Sequence, residues 1–274
     1  MPVLGRVRTH APDLPPALAR IAQYVLGNPS QVIYQTVTEI GDATSTSEAS
    51  VIRFCRDIGF KSFGGFKLAL TTEIATADLG DGAKPGGDGP FESNIAAVNT
   101  GLRDTAAMVD PAALDAFANR LATMRRIALF GVGASAVIAD YLRFKLVRLG
   151  IVATSLPDPH LAAMVAADLS ADDMAVAVSS TGSTIDTVRA AELAKQSGAW
   201  LGAITNRARS PLTAVADLVL IGSPPETALT GGDFVAKASQ MFLIELLYQH
   251  LQAANPKHGR KVHDTSEAVI DRLY

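Results

Sequence analysis

The 274-residue chain has a single cysteine, Cys55. That excludes an intramolecular disulfide and a four-thiolate zinc site, and it fits a reducing cytoplasm. An excess of charge of either sign is also missing: 24 Lys and Arg stand against 27 Asp and Glu, a net of −3. Bulk charge therefore does not announce a nucleic-acid partner. No run approaches the roughly 18 uninterrupted apolar residues of a membrane span, so no membrane association is expected. The opening stretch MPVLGRVRTHAPDLPP has no apolar core of the kind a signal peptide needs. The expectation is a cytoplasmic protein without a cofactor or bound metal.

What is present is a globular composition: 48% hydrophobic residues, 19% charged, and a mean hydropathy of +0.22. The length suits two modest domains. Asp78–Pro90, DLGDGAKPGGDGP, loses all apolar periodicity and reads as a linker. It divides the chain into an N-terminal domain over 1–77, a second domain over 91–256 and a tail over 257–274. Residues 1–77 hold seven Lys and Arg against six Asp and Glu, which leaves the acidic balance in the remainder.

The first domain reads as all-helical. Leu18, Ile21, Ala22 and Val25 have helical spacing in a segment ended by Gly27-Asn28-Pro29. A short helix over Thr38–Ala43, a turn, and a helix over Ser47–Ile58 closed by Gly59 form a helix-turn-helix pattern. Another helix begins near Phe63. Ser47 suits the N-cap of the second helix of the pattern. At 100° per residue Val51, Ile52, Cys55 and Ile58 share one arc and should pack inward, making Cys55 a core residue. Ser47, Ser50, Arg53, Phe54 and Asp57 fall on another arc. Small hydroxyls at a helix start with an arginine one turn on suit base edges in a major groove, so Ser47, Ser50 and Arg53 are the candidate readers. Lys61 and Lys67 are candidate phosphate contacts. Spacing alone equally admits a dimerisation module with a solvated face.

After the linker the grammar changes. Apolar runs at 127–131, 152–156, 174–180, 200–206 and 218–222 alternate with helical segments, and a long helix spans Phe234–Ala254. Continuous apolar strands separated by helices imply a five-stranded, doubly wound parallel sheet. Gly131-Val132-Gly133-Ala134-Ser135 follows the first strand and opens a helix, where Gly133 lets backbone approach a ligand and Ser135 offers a hydroxyl to an anion. A dinucleotide site would want a third glycine and an acid near the end of the next strand, but Val137 or Ile138 stands near the third position and no acid follows until Asp158. The third strand ends in Ser179-Ser180-Thr181-Gly182-Ser183-Thr184, five hydroxyls and one glycine that can ring a phosphate. Such residues also cap helices and fill turns. Neither loop contains lysine or arginine, so binding there should rest on hydroxyls, backbone N–H groups and helix dipoles.

The two loops resemble those of sugar isomerase (SIS) domains, and VIRFCRDIGFKSFGGFKLAL over 51–70 resembles the helix-turn-helix of RpiR-type regulators. GVGASAVIADYLRFKLVRLG over 131–150 and DPHLAAMVAADL over 158–169 are similar to the same family. The resemblance implies a SIS-type α/β domain behind the DNA-binding domain, a homodimer or homotetramer, and an operator affinity controlled by a phosphorylated sugar. By position it implies that Ser135, Ser179, Thr181 and Thr184 hold the phosphate, with Gly182 and Ser183 in the same turn. His160 is a candidate contact to a sugar hydroxyl. The family's Ser/Thr-Arg pair before the last helix is missing from Thr230-Gly231-Gly232-Asp233-Phe234. The alternative function is an aldose–ketose phosphosugar isomerase, which needs a general base, with Glu226 or His160 as candidates. An isomerase has no use for a helix-turn-helix, so the expectation is a regulator and not an enzyme, acting on double-stranded operator DNA.

Overall fold

The computed structural model describes residues 2–80, 90–226 and 232–270. Two compact units divide it, near Asn94. Most of the expected linker lies outside the described residues. Among them, no helix is long and apolar enough to cross a membrane.

The first unit is helical throughout: α1 (Val3–His10), α2 (Pro16–Gly27), α3 (Pro29–Val32), α4 (Val37–Ala43), α5 (Glu48–Asp57) and α6 (Phe63–Gly80). Its core gathers Val7, Ile21, Val25, Ile40, Val51, Phe54, Cys55, Ile58, Phe66 and Leu70. α1 escapes the sequence pattern because only Val3 and Val7, one turn apart, are buried. Its start is tied to α6, where the Glu73 carboxylate accepts from the N–H groups of Val3 and Leu4. α4 begins in a reciprocal cap: Glu39 N–H donates to the Thr36 hydroxyl at 3.1 Å, and Thr36 N–H donates to the Glu39 carboxylate at 2.7 Å. Burial pushes the Cys55 thiol up to about 12. A thiol that stays protonated at neutral pH is a core side chain and not a redox sensor.

The second unit takes in α7 (Pro90–Met108) from Ile95 on, and then α8 (Pro111–Thr123). Then β1 (Ile127–Phe130), α9 (Ala134–Arg148), β2 (Ala153–Leu156), α10 (Pro159–Ala167), β3 (Met174–Val178), α11 (Ile185–Gln196), β4 (Trp200–Thr205), α12 (Pro211–Val215) and β5 (Leu218–Ile221) alternate. All pairings are parallel, in the order β2-β1-β3-β4-β5. Side chains alternate across the sheet by strand geometry. Ile127, Leu129, Met174, Val176, Val178 and Ile204 face a layer built from α8, α9 and α13 (Phe234–Ala254). On the other face Ala128, Ala175, Ala177 and Ala203 meet Ala162, Ala166, Ala190, Ala191 and Ala194 of α10 and α11. The doubly wound expectation holds.

The expected tail is instead mostly a helix, α14 (Pro256–Ile270). Its Val262 packs on the core, His258 Nδ1 lies 2.9 Å from the Leu149 carbonyl, and Arg148 donates to Ser266 at 3.1 Å. Charged residues dominate its sequence, which conceals so thin an apolar stripe.

At the amino edge of the sheet, Asp173 is fully buried just before β3. Burial opposes its ionisation, but bidentate hydrogen bonds from Arg125 (3.0 and 2.9 Å), the Ser170 hydroxyl and N–H, and the nearby Arg126 charge outweigh it. The carboxyl is held at about 2, below its ordinary 3.8. A depressed carboxylate stabilises the fold above its unfolded pKa and loses that contribution as pH falls through the folded value. Stability should therefore drop by about 1–2 kcal/mol between pH 4 and pH 2 through this group. Urea unfolding at both pH values should show a smaller drop in Asp173→Asn. An equal drop in the variant assigns the acid sensitivity elsewhere.

Candidate functional site

Two surfaces carry the sequence-derived candidates. On the first unit, the turn between α4 and α5 is tight. Ser45 adopts φ +51°, and the Arg20 guanidinium donates to the carbonyls of Thr44 and Ser45, both at 3.0 Å. Ser47 caps α5 as expected, its hydroxyl accepting from Ser50 N–H at 3.2 Å, with the two hydroxyls 2.9 Å apart. Thr38 of α4 donates to Glu48 at 2.5 Å and ties the two helices at the same end. Arg53 is exposed, within 3.7 Å of Asp57. Lys61 is exposed just beyond the helix.

Three details differ from the sequence reading. Ile52 does not join Val51, Cys55 and Ile58 in the core and stays half-buried, because it lies at the edge of their arc. Phe54 is not on the outer arc: it is fully buried, edge-on to Phe66 at 5.9 Å. Lys67 is half-buried, donates to the Gln35 carbonyl at 2.8 Å and stands over the Phe63 ring. Arg56, exposed one turn beyond Arg53, was not singled out, although its i+3 spacing places it near the same face.

On the second unit, β1 and β3 are neighbours in register, Phe130 opposite Ala177. Parallel neighbours lie about 4.8 Å apart, so the segments after Phe130 and Val178 leave the sheet side by side. α9 then packs on one face and α11 on the other. This is the crevice between diverging connections where open α/β sheets bind ligands. Ser135 is half-buried in the first turn of α9. Across the crevice the Ser179 and Thr184 hydroxyls lie 3.2 Å apart, and Ser179 accepts from Gly182 N–H at 3.1 Å. Thr181 accepts from Ser183 N–H at 3.2 Å. Neither α9 nor α11 has its first N–H groups capped by the N-cap side chain; in α9 the Ser135 and Ala136 N–H groups donate to the Val132 and Gly133 carbonyls, and both helices point a positive dipole end at the crevice.

Gly182 shows how closely this turn is built. Its φ is +60°, and a Cβ there would stand 2.1 Å from the Ser210 hydroxyl. Only glycine satisfies both constraints.

His160 is placed differently. It is exposed in a groove of about 620 Å³ between α10 and α11, with Pro159, Met164, Asp186 and Arg189. None of the turn's hydroxyls lines that groove. One residue that sequence reasoning passed over is brought in: Lys237 of α13, whose ammonium donates to the Ser180 hydroxyl. The two are 57 positions apart in sequence. The loops lack basic residues, but α13 brings a lysine onto the turn after β3.

Comparison with known proteins gives two family matches along the chain. Residues 1–77 match the helix-turn-helix domain of the rpiR family, and residues 120–249 match the SIS domain. An HTH-type transcriptional regulator of Haemophilus influenzae is 34% identical over 254 residues, covering 90% of this chain and 88% of its own. The HTH-type transcriptional regulator HexR of Pseudomonas aeruginosa is 27% identical, covering 89% of this chain and 87% of its own. Among solved structures, the Vibrio vulnificus NanR protein complexed with ManNAc-6P superposes with a TM-score of 0.93 at 34% identity, over 99% of both chains.

Proposed function

The chain belongs to the rpiR family of helix-turn-helix regulators that carry a SIS domain, and we propose that its affinity for operator DNA is set by a phosphorylated sugar held in the β1–β3 crevice. The observation that carries this reading is the adjacency of the parallel strands β1 and β3, whose carboxyl ends lead to Ser135 and to the Ser179–Thr184 turn. The phosphate sits there on hydroxyls and helix N-termini, with Gly133 and Gly182 letting backbone N–H groups approach. The Vibrio vulnificus relative makes N-acetylmannosamine 6-phosphate the first ligand to try. His160 opens onto the α10–α11 groove, which favours sensing over isomerisation. The site is that of a cytoplasmic regulator and not of an enzyme.

α5 is the recognition helix, with Ser47, Ser50 and Arg53 at base edges and Lys61 on phosphate. Lys67, bonded to Gln35, adds at most a second phosphate contact. One helix-turn-helix makes few contacts, so a homodimer or homotetramer reads an inverted repeat with half-sites spaced by whole turns of DNA. Arg53→Ala should cost about 1–3 kcal/mol on the specific duplex and relax one base preference. Lys61→Ala should weaken all sequences alike and reduce the salt slope by about one unit. Fluorescence anisotropy across a salt series separates the two effects. Unchanged affinity in Arg53→Ala sinks the groove assignment.

The sensing half is tested by thermal denaturation against a panel of phosphorylated sugars and their unphosphorylated parents. A ligand at a hundredfold excess over Kd stabilises the native state by about 2.7 kcal/mol. The account expects a clear rise in midpoint with at least one phosphorylated sugar and none with its parent. Equal shifts with both contradict it.

A further inference from the structure

The outer crest of α9 is apolar where the solvent face of a surface helix is ordinarily polar. The inward face, Ile138, Ala139, Leu142 and Leu146, is buried. At 100° per residue Phe144 points the opposite way, with Val137 and Val147 within about 60° of it. α14 lies beside this crest, where Arg148 donates to Ser266, and it adds Val269 and Ile270. All five apolar side chains are between 45% and 62% exposed. Phe144, Val147, Val269 and Ile270 line one groove of about 440 Å³. A contiguous exposed apolar patch marks an interaction surface. Charges of opposite sign flank it: Asp140 stands one turn before Phe144 and Arg148 one turn after, each within about 40° of the crest. Asp140 is exposed and accepts from Arg143 at 2.7 Å, and Arg148 is half-buried. A carboxylate and a guanidinium with one partner each keep further hydrogen-bonding capacity.

We propose that a second copy of the chain docks on this α9–α14 face, with the two α9 helices crossing antiparallel about a two-fold axis at Phe144. The inference rests on the reading above that copies of the chain act together on DNA, and it adds the surface through which they meet. Its basis is charge complementarity. An antiparallel crossing about residue 144 sets Asp140 of one copy level with Arg148 of the other, and the symmetry makes that pair twice. The same operation brings Phe144 against its own copy. A two-fold interface needs a patch that is its own complement. This patch has its two opposite charges at equal distances on either side of an apolar centre, the arrangement of hydrophobic core and polar rim found in protein interfaces. A partner of uniform charge would be attracted by one flank and repelled by the other.

Cysteine crosslinking of the full-length protein tests the placement. Helices packed about 8–10 Å apart bring two crest Cα atoms on the axis to about 3–5 Å, which overlaps the span of a disulfide. Phe144→Cys should therefore give covalent dimers on mild oxidation. Asp172→Cys, exposed at the amino edge of the sheet, should not. Cys55 does not compete, because it is buried and its thiol is pushed up to about 12. In sedimentation at micromolar concentration, Phe144→Glu should halve the mass of the wild-type oligomer while keeping a cooperative thermal transition. Should that transition be lost, Val147→Glu is read instead, with the same halving expected. No covalent dimer from Phe144→Cys, an equal yield from Asp172→Cys, or the wild-type mass kept in the glutamate variant overturns the inference. Each of these leaves the reading of a multi-copy regulator intact. A monomeric wild type overturns both the interface and that reading.

Discussion

Replacing Ser135 and Thr184 together by alanine should abolish the response to sugar phosphate while leaving the fold unchanged. The two hydroxyls reach the crevice from opposite helices, Ser135 in the first turn of α9 and Thr184 at the N-cap of α11. Each hydrogen bond to a charged group contributes about 1.5–3 kcal/mol. Losing both should therefore weaken binding by roughly 10²- to 10⁴-fold. Thr184 makes no side-chain cap bond to α11 and Ser135 is not a capping residue of α9, so the fold gives up only the 3.2 Å hydroxyl contact between Thr184 and Ser179. The thermal midpoint without ligand is expected to match wild type. Calorimetric titration with N-acetylmannosamine 6-phosphate reads the effect directly, and a double variant within threefold of wild type would place the phosphate elsewhere.

Phe54→Ala is expected to have the largest effect on the DNA-binding unit. The ring is fully buried on α5 and packs edge-on to Phe66 of α6, which also meets Phe60 at 5.6 Å. Truncating a buried phenylalanine costs about 3–5 kcal/mol through lost burial and the cavity left behind. A small unit has little more than that to lose. Urea unfolding followed by circular dichroism should show a large destabilisation, and specific DNA binding should fall with it. If Phe54 instead faced the groove, as its place on the helical wheel implied, the variant would unfold like wild type and lose only DNA affinity.

That contrast marks where the sequence was informative. The five strands, the crevice turns and the Ser47 cap were legible because each is local: apolar runs, glycines and hydroxyls announce them within a few residues. Phe54 was misplaced because it lies at the boundary between the two arcs of a short helix, and the neighbour that decides the matter, Phe66, is contributed by the next helix. Lys67 reads as a surface cation until Gln35, 32 positions away, supplies a carbonyl. Lys237 was invisible for the same reason on a larger scale. Ser180 accepts from it, and nothing in the apolar periodicity of α13 distinguishes a lysine that turns inward onto the β3 turn from one that leaves for solvent. Long-range side-chain pairing, unlike strand order, leaves no periodic trace.

The two units are of use to each other only if ligand in one alters the DNA affinity of the other. By linkage, any such change must be reciprocal between the two binding free energies. The most direct test uses a duplex recovered by repeated selection from a random pool with the full-length protein. The complex, labelled for fluorescence anisotropy, is titrated with N-acetylmannosamine 6-phosphate and a panel of other sugar phosphates, with the unphosphorylated sugars as controls. The account predicts that at least one phosphorylated sugar shifts the DNA dissociation constant by about fivefold or more, equivalent to about 1 kcal/mol of coupling. It also predicts that the Ser135→Ala, Thr184→Ala double variant binds the same duplex without responding. A DNA affinity indifferent to every sugar phosphate that the protein binds would contradict it.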